Sequence, residues 1–164
     1  MSIRTKADTA KMALRMKTYK AITLHLDEMY QDAEHFGAVA AEAFGRERGK
    51  AQLKNLENIA NSTRKWSDVM DYIKRQTSRV REWKKEIEIQ TPRMNEPGKV
   101  IFGLDLLKFL RTVMKSRREK IITELSLTNE YTQQELYLLL IRGFIKQLII
   151  HFEWRLEEKT HATH

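Results

Sequence analysis

Both prolines of the chain fall in one short stretch, QTPRMNEPGKV (residues 90–100), and the sequence on either side of it is nearly free of helix breakers. Besides Pro92 and Pro97 there are only six glycines in 164 residues. A chain rich in Lys, Glu, Leu, Met and Arg and so poor in breakers is built mostly of helix.

The apolar spacing agrees. Met12, Tyr19, Leu26 and Ala33 recur every seven residues, and Ile22, Met29 and Phe36 form a second row at the same interval. Together they step by three and four, as a seam on one helix face does. Ile59, Trp66, Ile73 and Val80 also stand seven apart, with Val69 and Trp83 nearby. They predict a second long helix over about 47–90, with room for a break at Asn61, Ser62 and Thr63, residues that suit a cap.

A third helix is expected over about 100–125, with Leu106, Leu107, Leu110, Val113, Met114, Ile121 and Leu125 as its apolar face. Thr132 and Glu135 have the spacing of a capping box ahead of a last helix over about 133–158. Leu136, Leu139, Leu140, Phe144, Leu148, Ile149 and Phe152 cover more than one stripe of it, which makes it the central helix. The expected architecture is all-α: one domain, 1–164, in which four to five mostly antiparallel helices form a bundle. A Pro/Gly loop around 91–99, either an ordered turn or a flexible functional loop, and a frayed tail at 159–164 complete it.

Several function classes fall away. Cysteine is absent, which removes disulfides, thiol nucleophiles and zinc-thiolate sites and fits a cytoplasmic protein. The N-terminus is basic without a continuous apolar core, so it does not read as a secretory signal. Arg142 and Lys146 interrupt the longest apolar runs, which stay short of the roughly 18 uncharged residues of a membrane span. No GxSxG, GxGxxG or GxxxxGK[ST] occurs, and GRERGK (residues 45–50) has the wrong spacing. His25 and His35 stand ten apart, Arg142 and His151 are too far apart for a short Arg–His motif, and only His161 and His164 have helical spacing. No enzyme activity, metal or other cofactor is therefore expected. The carboxylate pairs Asp68/Asp71 and Glu153/Glu157 read as solvated partners of nearby cations.

What remains is charge. There are 30 Lys+Arg against 22 Asp+Glu, a net charge of +8. In KFLRTVMKSRREK (residues 108–120) six cations face a single Glu119, so internal pairing cannot neutralise it. Arg111, Lys115 and Arg118 step by four and three, with Lys108 beside them. Arg46, Lys50 and Lys54 repeat the pattern, and Arg75 and Arg79 make a further pair. Such rows can follow a phosphate backbone, releasing a counterion at each contact, without reading bases. Trp66 and Trp83 fall on the apolar seam and read as core; Trp154 does not lie on that seam.

The stretches QLKNLENIANSTRKWSDVMDYIKRQTSR (residues 52–79) and LLLIRGFIKQLIIHFEWRLEE (residues 138–158), together under a third of the chain, resemble the small helical subunit of type III CRISPR effector complexes. The likeness is a basic helix with a polar–aromatic middle and a closing apolar helix with Phe and Glu near its end. The resemblance implies a non-catalytic subunit of an antiviral ribonucleoprotein, in contact with guide and target RNA phosphates and with other protein subunits. Single-stranded RNA is the expected partner ahead of DNA, and no membrane is. The rival expectation is a helical interaction protein, a coat or adaptor, with no role on RNA.

Overall fold

The computed structural model describes residues 5–162 of the chain. Helix α1 (Lys6–Glu28) opens with a reciprocal cap: the Thr5 hydroxyl accepts from the Asp8 N–H, and the Asp8 carboxylate accepts from the Thr5 N–H. After a break at Met29 the chain continues as α2 (Tyr30–Phe44), then turns at Gly45 into α3 (Arg46–Ser62). The seven-residue seam reaches the core only in part. Ile22, Met29, Ala33 and Phe36 are buried, but Met12 and Tyr19 are exposed, because the first half of α1 runs out past the body of the fold.

The expected single helix over 47–90 is instead a series of shorter elements. α3 ends at Ser62, and α4 (Trp66–Arg79) starts after a bend in which the Thr63 hydroxyl donates to Asp68 at 2.5 Å. The break falls where the cap-forming residues predicted it. Arg142 completes the α3 terminus: its guanidinium donates to the carbonyls of Ala60 and Thr63 at 2.6 and 2.7 Å. A cation there satisfies carbonyls that the helix cannot bond itself. A short α5 (Arg81–Lys84) follows, and then the helical reading fails.

Residues Glu86–Ile89 form strand β1, paired antiparallel with β2 (Gly98–Ile101) in the register Glu86↔Ile101 to Ile89↔Gly98. The cause is visible in EIEI: alternation puts Ile87 and Ile89 inward and Glu86 and Glu88 outward, a period of two that no helix can satisfy. The Pro/Gly stretch is thus the connection of an ordered hairpin. It is fastened to α2, since His35 Nδ1 lies 2.7 Å from the Thr91 hydroxyl and Arg93 pairs with Asp32 at 2.8 Å while lying over the Phe36 ring. Burial, then Arg93, hold His35 down at a pKa of about 4.

Beyond β2 one continuous rod holds α6 (Phe102–Phe109), a π turn (Leu110–Met114) and α7 (Lys115–Leu125). The last helix, α8 (Glu130–Ala162), is the central one, as its apolar breadth predicts. Its cap is Asn129 rather than Thr132: the Asn129 side chain accepts from the Thr132 N–H at 3.1 Å, three residues before the expected start. The helix stays regular through Ala162, past the expected onset of fraying at 159; residues 163–164 lie outside the described residues. Glu42 accepts from Arg155 and Lys159 at 3.3 and 2.9 Å and ties that end to α2. α2 and α8 cross closely at Gly37, where a Cβ would sit 2.6 Å from the His151 Cβ, so a side chain there would force the pair apart. Phe36, Phe109 and Phe144 interlock at this crossing, with centroids 4.8 to 6.1 Å apart. The protein is therefore predominantly helical and all-α in class, with a two-stranded sheet as its only non-helical element among the described residues.

Candidate nucleic-acid interface

The cation-rich stretch coincides with the π turn. A π turn closes i→i+5 rather than i→i+4, so it holds one extra residue and rotates all that follows by roughly 100°. The buried line accordingly runs Leu106, Leu110, Met114, Ile121, while Val113, an expected core residue, is exposed. The irregular backbone is satisfied by side chains. Tyr137 donates its hydroxyl hydrogen to the Leu110 carbonyl at 2.6 Å, and Thr112 bonds the Lys108 carbonyl at 2.7 Å. Burial pushes the Tyr137 hydroxyl up to about 12, against the opposing pull of Arg118 and Arg111.

The same rotation divides the predicted row. Lys108, Arg111 and Lys115 are exposed and make no ion pair or side-chain hydrogen bond among the described residues. Arg118 turns inward. Its side chain is only 14% exposed, its guanidinium lies 4.8 Å over the Tyr137 ring, and it holds Glu119 at 2.8 Å. Trp66 packs on the same Tyr137 at 5.0 Å, and Gln134 accepts from Trp66 at 2.5 Å and from Arg118 at 3.5 Å. Arg118 is a packing residue, and the expectation that it shares an open face with Arg111 and Lys115 is corrected. It also occupies the one carboxylate of the stretch, Glu119, leaving the outer three cations without it.

α4 lies antiparallel against this rod. Its C-terminal end meets the rod at Gly103, where a Cβ would fall 1.9 Å from the Thr77 hydroxyl, and its first residue, Trp66, shares Tyr137 with Leu110 and Arg118. Arg75 and Arg79 are exposed on α4 and make no ion pair among the described residues. Asp71, one helical turn before Arg75, pairs with Lys74 at 3.8 Å, and Asp105 on the rod accepts from the Ile101 N–H at 2.6 Å. Two packed helices thus display Lys108, Arg111, Lys115, Arg75 and Arg79.

The third predicted group is elsewhere and mostly neutralised. Arg46 pairs with Glu157 at 3.7 Å and donates to Thr160, and Lys54 pairs with Glu57 at 3.5 Å. Arg46 and Lys50 border a cavity of about 460 Å³ between α3 and the end of α8, beside Trp154, which is 61% exposed. Trp83 is buried and Trp66 half-buried, as the apolar seam predicts.

Three of the histidines make side-chain contacts within the fold. His25 sits against Glu124 and Arg117, His35 against Thr91, and His151 edge-on to Tyr30. Arg117 also holds Glu28, which lowers that carboxyl. Among the described residues no group of three or more His, Cys, Asp or Glu is placed to hold a metal, and no helix is long and apolar enough to cross a membrane. His164, half of the only helically spaced histidine pair, lies outside the described residues.

Fold and surface together define a predominantly helical protein that exposes Lys108, Arg111 and Lys115 on one rod and Arg75 and Arg79 on the helix packed against it. No family model, curated protein or solved structure matches the chain.

Proposed function

We propose that the chain is a non-catalytic, nucleic-acid-binding structural subunit that holds the phosphates of single-stranded RNA along the face of Lys108, Arg111, Lys115, Arg75 and Arg79. The observation that carries this reading is the unpaired state of the first three cations, in a stretch whose only acid is spent on Arg118. Cations at successive helical turns suit a polyanion, and they supply position rather than base recognition. In line with the sequence resemblance, the subunit belongs to an RNA-guided defence ribonucleoprotein in which other subunits cut.

The test is binding of a fluorescent single-stranded RNA by the intact chain and by a Lys108→Glu, Arg111→Glu, Lys115→Glu variant. Lys146→Glu, a change at an exposed cation on α8, serves as the control. The triple variant loses most of its affinity and the control keeps it. The alternative, an interaction protein without an RNA role, draws on the exposed apolar side chains of α1. It is distinguished by the absence of RNA retention at moderate salt even in the intact chain.

A further inference from the structure

The first half of α1 has almost no support from the rest of the fold. From Lys6 to Lys20 every residue is exposed except the half-buried Thr18. Helices of this length draw most of their stability from packing, so a free one is marginal. The segment carries Lys6, Lys11, Arg15, Lys17 and Lys20 against Asp8 alone, and it still shows Leu14, Met16 and Tyr19 to solvent.

Where α1 leaves the N-terminal half of α8, the two helices enclose a groove of about 680 Å³. Leu14 and Tyr19 form one wall; Tyr131, 75% exposed, and Leu139 form the other. Lys11 and Arg15 edge the α1 side, and Glu135 is the only carboxylate on the lining. Lys11 stands three and four residues before Leu14 and Arg15, and Thr18 four and three after them, so one face of α1 is turned to the groove.

We propose that this groove receives an acidic amphipathic helix of a protein partner. Apolar walls call for an apolar stripe, and the cations of α1 select carboxylates beside it. A phosphate backbone would leave Leu14, Tyr19, Tyr131 and Leu139 unburied, so RNA fits this groove poorly. Once seated, the partner helix packs against α1 and α8 together and gives the projecting half of α1 the burial it lacks. The proposal is independent of the RNA-binding reading, since Lys11 and Arg15 belong to none of the phosphate-holding residues.

The test uses two synthetic helical peptides of roughly 18 residues, or five turns, with the same apolar stripe and either Glu or Lys on its flanks. Fluorescence anisotropy against the intact chain at about 0.15 M salt is the readout. The acidic peptide binds about tenfold or more tighter than the basic one, and Leu14→Glu or Tyr131→Glu lowers its affinity by a similar factor. Lys11→Glu with Arg15→Glu inverts the preference toward the basic peptide. These residues are exposed, so unchanged far-ultraviolet circular dichroism is expected of the variants. Equal binding of both peptides, or no binding of either, overturns the proposal. So does a Lys11→Glu, Arg15→Glu variant that keeps its peptide preference but loses binding to single-stranded RNA or to anionic vesicles. Loss of RNA binding on changing Lys108, Arg111 and Lys115, with the peptide preference intact, supports a groove that acts separately from those cations.

Discussion

The hydroxyl of Tyr137 on α8 donates a 2.6 Å hydrogen bond to the carbonyl of Leu110, the first residue of the π turn. Through this bond the central helix bears on the phase of the cation-bearing rod, because the π turn decides which side chains after Met114 face outward. Tyr137→Phe keeps the ring under Arg118 and Trp66 and removes only the donor. Losing this hydrogen bond costs about 0.5–1.5 kcal/mol, to be read from urea unfolding. An unchanged midpoint would show that the bond is not needed to hold the turn.

Arg111 and Arg118 differ in role despite their helical spacing. Arg118→Ala strips the stack on Tyr137 and frees Glu119, and is expected to cost about 1–2 kcal/mol in packing and cation–π contact. Arg111→Ala, at an exposed site, changes stability by no more than about 0.5 kcal/mol. Thermal unfolding of the two variants side by side checks the assignment. If both are neutral, Arg118 is not a packing residue.

His35 links stability to pH. Its folded pKa of about 4 lies below its ordinary 6.5, through burial first and then Arg93. The groups facing it are Thr91, Arg93 and, paired to Arg93, Asp32. The unfolded chain therefore binds the proton more readily. The neutral ring's contribution is fully present above about pH 6.5 and is lost as pH falls toward 4, at about 1.4 kcal/mol for each pH unit where only the unfolded state is protonated. Denaturant unfolding across this window should show the decline, and His35→Gln should flatten part of it.

Gly103 sets how closely α4 and α6 approach. A Cβ there falls 1.9 Å from the Thr77 hydroxyl, so Gly103→Ala is expected to destabilise by about 1–3 kcal/mol. Thr77→Ala in the same chain should recover part of the loss, a coupling that a double-mutant cycle measures. Purely additive effects would place the clash elsewhere.

The helical class, the central last helix, the break after Ser62 and the burial of Trp83 were legible in the sequence, because long apolar periodicity and cap residues are local signals. The hairpin was half legible. EIEI carries the alternation of a strand, yet Ile73, Val80 and Trp83 lie on a helical rhythm that runs straight into it. The π turn was not legible at all: nothing local separates LRTVM from an ordinary helix, and its support comes from Tyr137, a distant residue. That single extra residue put Val113 outside and Arg118 inside. The exposure of Met12 and Tyr19 was hidden for a related reason, since a seam states that a face is apolar, not what covers it.

The central claim is that Lys108, Arg111 and Lys115 meet phosphates, and the salt dependence of single-stranded RNA binding tests it most directly. Each phosphate contact on a single strand contributes about −0.7 to the slope of log K against log salt. The Lys108→Glu, Arg111→Glu, Lys115→Glu variant should therefore show a slope shallower by about 2 than the intact chain, with Lys146→Glu unchanged. Parallel lines for the triple variant and the intact chain would contradict the account.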